Sequence, residues 1–188
     1  VDIFPGFPAQ NYLTDESGRV IGIATGDMGI DKEGNQKGTY TPGMDILAKQ
    51  TIFAEGARGH LGKRLIKEFN LDEGKTPQHF AIGFKEVWEV DNNKHSPGDV
   101  VHSMGWPLKG GTSGGGFLYH FENNRIAVGL IIDLNYSNPS HNTFQEFQQF
   151  KQHPSIKQYL ESGKRVSYGA RAITKGGINS LVKMEFDG

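Results

Sequence analysis

Between Leu108 and Phe117 the chain runs Lys-Gly-Gly-Thr-Ser-Gly-Gly-Gly, with five glycines in the seven positions from Gly110 to Gly116. No helix persists through such a run, because each glycine costs roughly 1 kcal/mol against alanine in a helix interior. The run therefore reads as irregular backbone between two strands. It is not the dinucleotide-binding Gly-x-Gly-x-x-Gly, since no βαβ pattern surrounds it. It is not a P-loop, since no Gly-Lys-Ser/Thr closes it. Two readings stay open: a flexible connection, or bare backbone N–H groups that approach a carbonyl or an anion more closely than side chains permit. Glycine is abundant throughout, at 26 of 188 residues, against a usual share of about 7%.

The remaining composition excludes several classes of function. Twenty Lys and Arg balance 21 Asp and Glu, for a formal charge of −1, which argues against a nucleic-acid protein held by net phosphate attraction. There is no cysteine, so the chain supplies no disulfide, no thiol nucleophile and no thiolate for zinc or iron–sulfur ligation. The longest apolar run, Ile126 to Ile132, is far shorter than the roughly 20 residues of a spanning helix, and peripheral membrane binding stays open. The length suits one compact domain or somewhat more. A β-like Val1-Asp2-Ile3-Phe4 at the start and an Asp187-Gly188 turn pair at the end are read as a fragment of a longer protein.

Residues 1–56 read as β-rich. Asp15-Glu16-Ser17-Gly18 separates Tyr12-Leu13 from Val20-Ile21-Gly22-Ile23 as a hairpin signal, and Lys32-Glu33-Gly34-Asn35 is a second turn. Gln50 to Ala54 is expected to be a short buried strand. From His60 the period becomes helical, with Leu61, Leu65, Ile66 and Phe69 on one face and Lys63, Arg64 and Lys67 on the other. Residues 76–134 read as an antiparallel meander, with strands over Phe80–Val90, Val100–Trp106, Phe117–Phe121 and Ile126–Leu134. Residues 143–161 look helical, with a stripe of Phe144, Phe147 and Phe150 broken at Pro154, and a last strand covers Val166–Ile173. Strands and helices that are segregated rather than alternating predict an α+β fold.

A second motif is Thr51-Ile52-Phe53-Ala54-Glu55-Gly56-Ala57-Arg58-Gly59. It is either an ordinary strand–turn–helix, or a strand end followed by helix-start N–H donors set near a phosphate. The seven histidines are scattered without metal-ligand spacing, and Ser113 lacks the flanking elbow of a nucleophile. Asn135-Tyr136-Ser137 matches a glycosylation sequon, a common chance match.

Taken together, the chain resembles the electron-transfer flavoprotein:ubiquinone oxidoreductase family. The resemblance rests on Thr51-Ile52-Phe53-Ala54-Glu55-Gly56, Gly105-Trp106-Pro107-Leu108, Gly115-Gly116-Phe117-Leu118-Tyr119-His120, His153-Pro154-Ser155-Ile156 and Tyr168-Gly169-Ala170-Arg171-Ala172. These five landmarks run in the family order along essentially the whole chain. The resemblance implies a monotopic membrane enzyme, at the mitochondrial inner membrane or a bacterial cytoplasmic membrane. Electrons from reduced electron transfer flavoprotein would pass through FAD and a [4Fe–4S] cluster to ubiquinone. This chain would be the middle segment, with the cluster's cysteines outside it. Residues 1–61 would contribute to the FAD domain, 62–170 would form the ubiquinone domain as an antiparallel sheet with helices on one face, and 171–188 would return toward the FAD domain.

The sites follow by the same resemblance. Ala54, Glu55, Gly56 and Gly59 match the family's second FAD motif, and Ala9 is a backbone contact near the adenine. Gly114 and Gly115 align with the glycines whose backbone meets the quinone head group. The family often has an aromatic residue where this chain has Ser113, and serine where it has Gly116, so the register of the contact is open by one residue. Backbone donors suit the chemistry, since quinone reduction builds negative charge on carbonyl oxygens, and Trp106, Pro107, Phe117 and Leu118 flank the loop as apolar surface for an isoprenoid tail. No side chain is assigned as a general base, and water is left as a proton source. Two other readings compete: a flavoenzyme like the geranylgeranyl reductases or aromatic hydroxylases, and a non-catalytic lipid- or quinone-binding module.

Overall fold

A computed structural model describes residues 1–186, so the terminal Asp187-Gly188 turn pair lies outside the described residues. The chain divides into two compact units. One comprises residues 1–75 with the segment from Val182 onward, and the other comprises Thr76–Leu181. The architecture is α+β, as expected, with antiparallel sheets and three helices.

The first unit is built on a hairpin of β1 (Ala9–Thr14) and β2 (Val20–Thr25). Asp15 sets its turn: one carboxylate oxygen accepts from the Ser17 and Arg19 N–H groups, each at 3.0 Å, and from the Ser17 hydroxyl at 2.6 Å. This is the local bonding that makes Asp a turn residue. β3 (Met28–Ile30) and β4 (Gln36–Thr41) form a separate ribbon around the second expected turn, where Asp31 plays the same part for Glu33 and Asn35. β5 (Asp45–Leu47) takes the free edge of β2. The helix α1 (His60–Glu68) buries Leu61 and Leu65 against Tyr12, with Phe53, Phe69 and Leu71 around them.

The strand expected at Gln50–Ala54 does not form. The segment has no ladder partner, and Ile52 is 86% exposed. Since β5 occupies the second edge of β2, an extended segment with unpaired backbone groups stays at the surface.

The second unit is a five-stranded antiparallel sheet in the order β10-β6-β9-β8-β7. Its strands are β6 (Phe80–Glu89), β7 (Val100–Met104), β8 (Gly114–Phe121), β9 (Arg125–Asp133) and β10 (Lys164–Thr174). The expected simple meander is therefore wrong in one connection, because β6 pairs with β9 rather than β7. The most apolar strand of the sheet, β9, takes the centre, and the largely exposed β7 and β10 take the edges. The glycine run is also not all loop. β8 begins at Gly114, three residues before the expected start.

α2 (Thr143–Gln152) and α3 (Pro154–Leu160) cover one face of this sheet. Leu118, Ile126, Val128, Leu130 and Ile132 meet Phe147, Phe150, Ile156 and Leu160 there. Phe144, expected in the same stripe, lies at its rim, 54% exposed. The residues that alternate with this set point to the opposite face, which no helix of the unit covers. The units part at 75/76 and 181/182 rather than at 61/62 and 170/171, because α1 packs on Tyr12 and β10 pairs along its full length with β6.

Candidate functional site

The two halves of the glycine run do different work. Gly110 and Gly111 have φ of +62° and +79° and turn the chain in open space. Gly114, Gly115 and Gly116 sit in β8, where a Cβ would collide with something at each. At Gly114 it would lie 2.2 Å from the Ile131 carbonyl oxygen and 2.6 Å from Leu108 Cδ1. At Gly116 it would lie 2.2 Å from Phe150 Cζ. Both positions face the helices, and a core ring fills the space at Gly116. Gly115 faces the uncovered side, where only the β7 backbone comes near, with Ser103 O at 2.6 Å from a Cβ.

Ladder parity decides which backbone groups are free. The Asp133 N–H donates to Ser113 O at 2.9 Å, and the His120 N–H donates to Asp99 O at 2.9 Å. In an antiparallel ladder this directs the N–H of Gly115 toward β9 and those of Gly114 and Gly116 toward β7. Gly116 has Ser103 opposite it. Gly114 lies beyond the last β7 pair, Met104↔Gly115, because Gly105 at φ +83° turns the chain away. The Gly114 N–H thus points past the end of β7, beside exposed Ser113 and bare Gly115. Two sequence landmarks meet close by, as the Trp106 and His153 rings pack at 5.0 Å. His153 also caps α3, its Nδ1 accepting from the Ser155 N–H.

In the first unit a cleft of about 420 Å³ is lined by Ala9, Ile23, Thr51, Ile52, Phe53, Ala54, Glu55, His60 and Leu61. It gathers Ala9, Ala54 and Glu55, and Gly56 and Gly59 follow Glu55 in the turn. Gly56 has φ +81°, and a Cβ on Gly59 would meet Glu55 Cβ at 2.2 Å, so both positions require glycine. His60, which the sequence did not single out, ties the cleft together. Its Nε2 lies 2.9 Å from Ala9 O and its Nδ1 3.2 Å from Glu55.

The helix-start donors expected near a phosphate are already used. The Gly62 N–H donates to Glu55 Oε2 at 2.6 Å and the Leu61 N–H to Oε1 at 3.3 Å. A carboxylate and a phosphate repel each other, so the positive end of α1 holds one or the other. The cleft suits an uncharged part of a ligand. Its walls are largely apolar, and Thr51 Oγ1 is buried in it without a partner, an orphaned group that a ligand would satisfy. A second cleft of about 360 Å³, also not foreseen, lies at the strand ends of the second unit between Gln78, Phe80, Asn135 and the Asp133–Lys175 ion pair. Among the described residues no three His, Asp or Glu side chains group as a metal site.

The family model described as ETF-QO, ubiquinone-binding matches residues 80–173, half of the chain. The chain belongs to this family. Its sheet from β6 to β10 is the matched region. Relatives named electron transfer flavoprotein-ubiquinone oxidoreductase align along the whole chain. The one from Pseudomonas aeruginosa is 62% identical, and the mitochondrial ones from Arabidopsis thaliana and Homo sapiens are 49% and 47% identical. The chain spans about a third of the length of these relatives: 34%, 30% and 31%. Among solved structures, a geranylgeranyl bacteriochlorophyll reductase-like protein from Thermoplasma acidophilum matches with a TM-score of 0.56 at 18% identity, covering 89% of this chain and 36% of that one. A flavin-dependent brominase matches with a TM-score of 0.51 at 10% identity, covering 89% and 38%. At these identities the likeness is one of fold.

Proposed function

We propose that this chain is the part of an electron transfer flavoprotein:ubiquinone oxidoreductase that holds the quinone head group and contributes one wall of the FAD site. The observation that carries the reading is the Gly114 N–H, directed past the end of β7 beside the bare backbone of Gly115. A quinone carbonyl gains negative charge as it is reduced, and an unpaired backbone donor stabilises that charge without titrating. Ser113, exposed beside it, contributes a hydroxyl. Gly116 serves the site indirectly, by admitting the Phe150 ring beneath β8. Thr76–Leu181 is then the ubiquinone domain, and residues 1–75 with the segment from Val182 contribute to the FAD domain.

FAD, when bound, supplies the electron carrier of such an enzyme. The residues of the first unit fit its adenosine half. Ala54 and Phe53 wall the cleft, Thr51 Oγ1 offers a hydrogen bond, and Ala9 supplies backbone near the base, with Gly56 and Gly59 shaping the turn. Glu55 acts by holding the start of α1. The chain has no cysteine, so its own residues do not fit a [4Fe–4S] cluster, whose ligands lie elsewhere in the parent protein. The same reading makes reduced electron transfer flavoprotein the electron donor, and a membrane surface the place where ubiquinone enters. Among the described residues no helix is long and apolar enough to cross a membrane; the proposed attachment is monotopic, at a mitochondrial inner or bacterial cytoplasmic membrane.

Photolabelling tests the quinone site. A short-tailed azido-ubiquinone applied to the holoenzyme is expected to label the peptide from Val100 to Phe121, with excess ubiquinone protecting it. Protectable label confined to peptides outside the second unit would refute the assignment.

A further inference from the structure

The face of the sheet that carries Gly115 also carries an ionisable pair that no part of the reading above uses. In the β7–β8 register His102 lies opposite Phe117, one row along from Met104↔Gly115. Rows on one sheet face are about 6.6 Å apart, two residues of strand, comparable to the span between the two carbonyl oxygens of a benzoquinone. Phe117 leaves the space beside His102 open, since its ring lies across β9, where a Cβ on Gly129 would sit 2.3 Å from Phe117 Cζ. The Tyr119 hydroxyl lies 3.4 Å from His102 Nε2, and the two rings pack at 5.6 Å. His102 is exposed, and its Nδ1 has no partner among the described residues.

Val100 and Met104 flank His102 on β7, and Gly115, Phe117 and Tyr119 face it from β8, so Tyr119 is the one ionisable neighbour. Of the charged side chains on this face, Lys85 of β6 lies in the same row as His102 but three strands away, Arg171 of β10 lies four strands away, and Arg125 and Asp133 of β9 are paired with Glu89 and Lys175.

We infer that His102 is the proton donor to the quinone held at Gly114 and Gly115, with Tyr119 as the residue that positions it. The inference rests on the quinone reading above. Reduction of ubiquinone to ubiquinol takes two electrons, which the enzyme's own activity supplies, and two protons. No bond to the protein forms. The imidazolium keeps Nε2–H on the Tyr119 oxygen and gives its Nδ1 proton to the quinone oxygen distal to Gly114, which becomes a hydroxyl. Solvent then reprotonates the exposed ring, and the second carbonyl oxygen is protonated in the same way or by water.

The test uses the full-length holoenzyme, reduced in advance and mixed rapidly with a short-tailed ubiquinone or with ferricenium, which accepts an electron without a proton. In His102→Gln the quinone reaction is expected to slow by about 100-fold. Ferricenium reduction and azido-quinone labelling are expected to stay unchanged. Tyr119→Phe is expected to slow the quinone reaction less and to shift its pH profile. A wild-type quinone rate in His102→Gln with labelling intact would overturn the proton assignment and leave the quinone site standing. Equal losses with quinone and ferricenium would overturn it too, since the defect would then lie in the electron path. Label that maps away from Val100–Phe121 would instead remove the quinone reading itself.

Discussion

Replacing Glu86 probes the ionic hub that fastens α2 to the sheet of the second unit. The Glu86 carboxylate is 3% exposed and sits among apolar residues on the helix-covered face. It accepts from Lys151 Nζ at 2.9 and 3.0 Å, from Arg165 at 3.1 Å and from the Trp88 indole N–H at 2.9 Å. The Lys151 side chain is itself only 10% exposed, whereas Arg165 is 45% exposed and can turn to water. Glu86→Leu leaves the Lys151 ammonium buried without its anion, a change that costs about 3–5 kcal/mol. Lys151→Met should cost less, because Arg165 and Trp88 still satisfy the carboxylate. The double variant Glu86→Leu/Lys151→Met removes both charges and should recover most of the loss, since apolar residues of similar volume replace a buried pair at little cost. Thermal melts of the four proteins read the cycle, and at about 2–4 °C per kcal/mol the single Glu86→Leu should melt roughly 10 °C early. A double variant no more stable than Glu86→Leu alone would refute the reasoning, because the loss would then come from packing and not from a stranded charge.

Further predictions follow from the same geometry. Gly116→Ala should destabilise by about 1–3 kcal/mol through overpacking against Phe150. Phe150→Leu in that background should cost less than in the wild type, which a double-mutant cycle would show as coupling. Glu55→Ala should free two N–H donors at the start of α1 and cost about 1 kcal/mol, read as faster hydrogen exchange over His60–Glu68. His120 should give the second unit an acid limb. Burial, and then the neighbouring His95, lower its pKa below the ordinary 6.5, against a smaller opposing pull from Asp99, and its Nδ1 accepts from the Ser96 N–H at 3.1 Å. The folded state thus holds the ring neutral, so its contribution is present above pH 6.5 and fades as pH falls from there toward the lowered value. His120→Gln should flatten that acid limb of a stability profile, read by melts at a series of pH values below neutrality.

Much of this protein was legible in its sequence, and the legible part was local. Asp15 and Asp31 marked their turns because a short carboxylate bonds the next backbone amides whatever lies beyond. Leu61 and Leu65 announced α1 by spacing alone, and the run from Ile126 to Ile132 announced a strand. The glycines that resemble the family's quinone contacts could be named from their order in the chain. What each glycine is for depended on tertiary structure. Gly114, Gly115 and Gly116 alternate between two faces, so which one meets Phe150 and which lies open was decided by the register with β7 and β9. Strand order was likewise beyond the sequence, because β6 has an equally suitable pattern for either neighbour, and the choice of β9 rests on which strand the helices bury. Glu55 looked like a ligand-facing acid and proved to close the end of its own helix, since only the folded turn at Gly59 brings its carboxylate onto the Leu61 and Gly62 amides. His102 and Tyr119, separated by 16 residues, gave no signal at all. Their pairing exists because two strands align in one register, and register is a property of hydrogen bonds across the sheet rather than of either segment read alone.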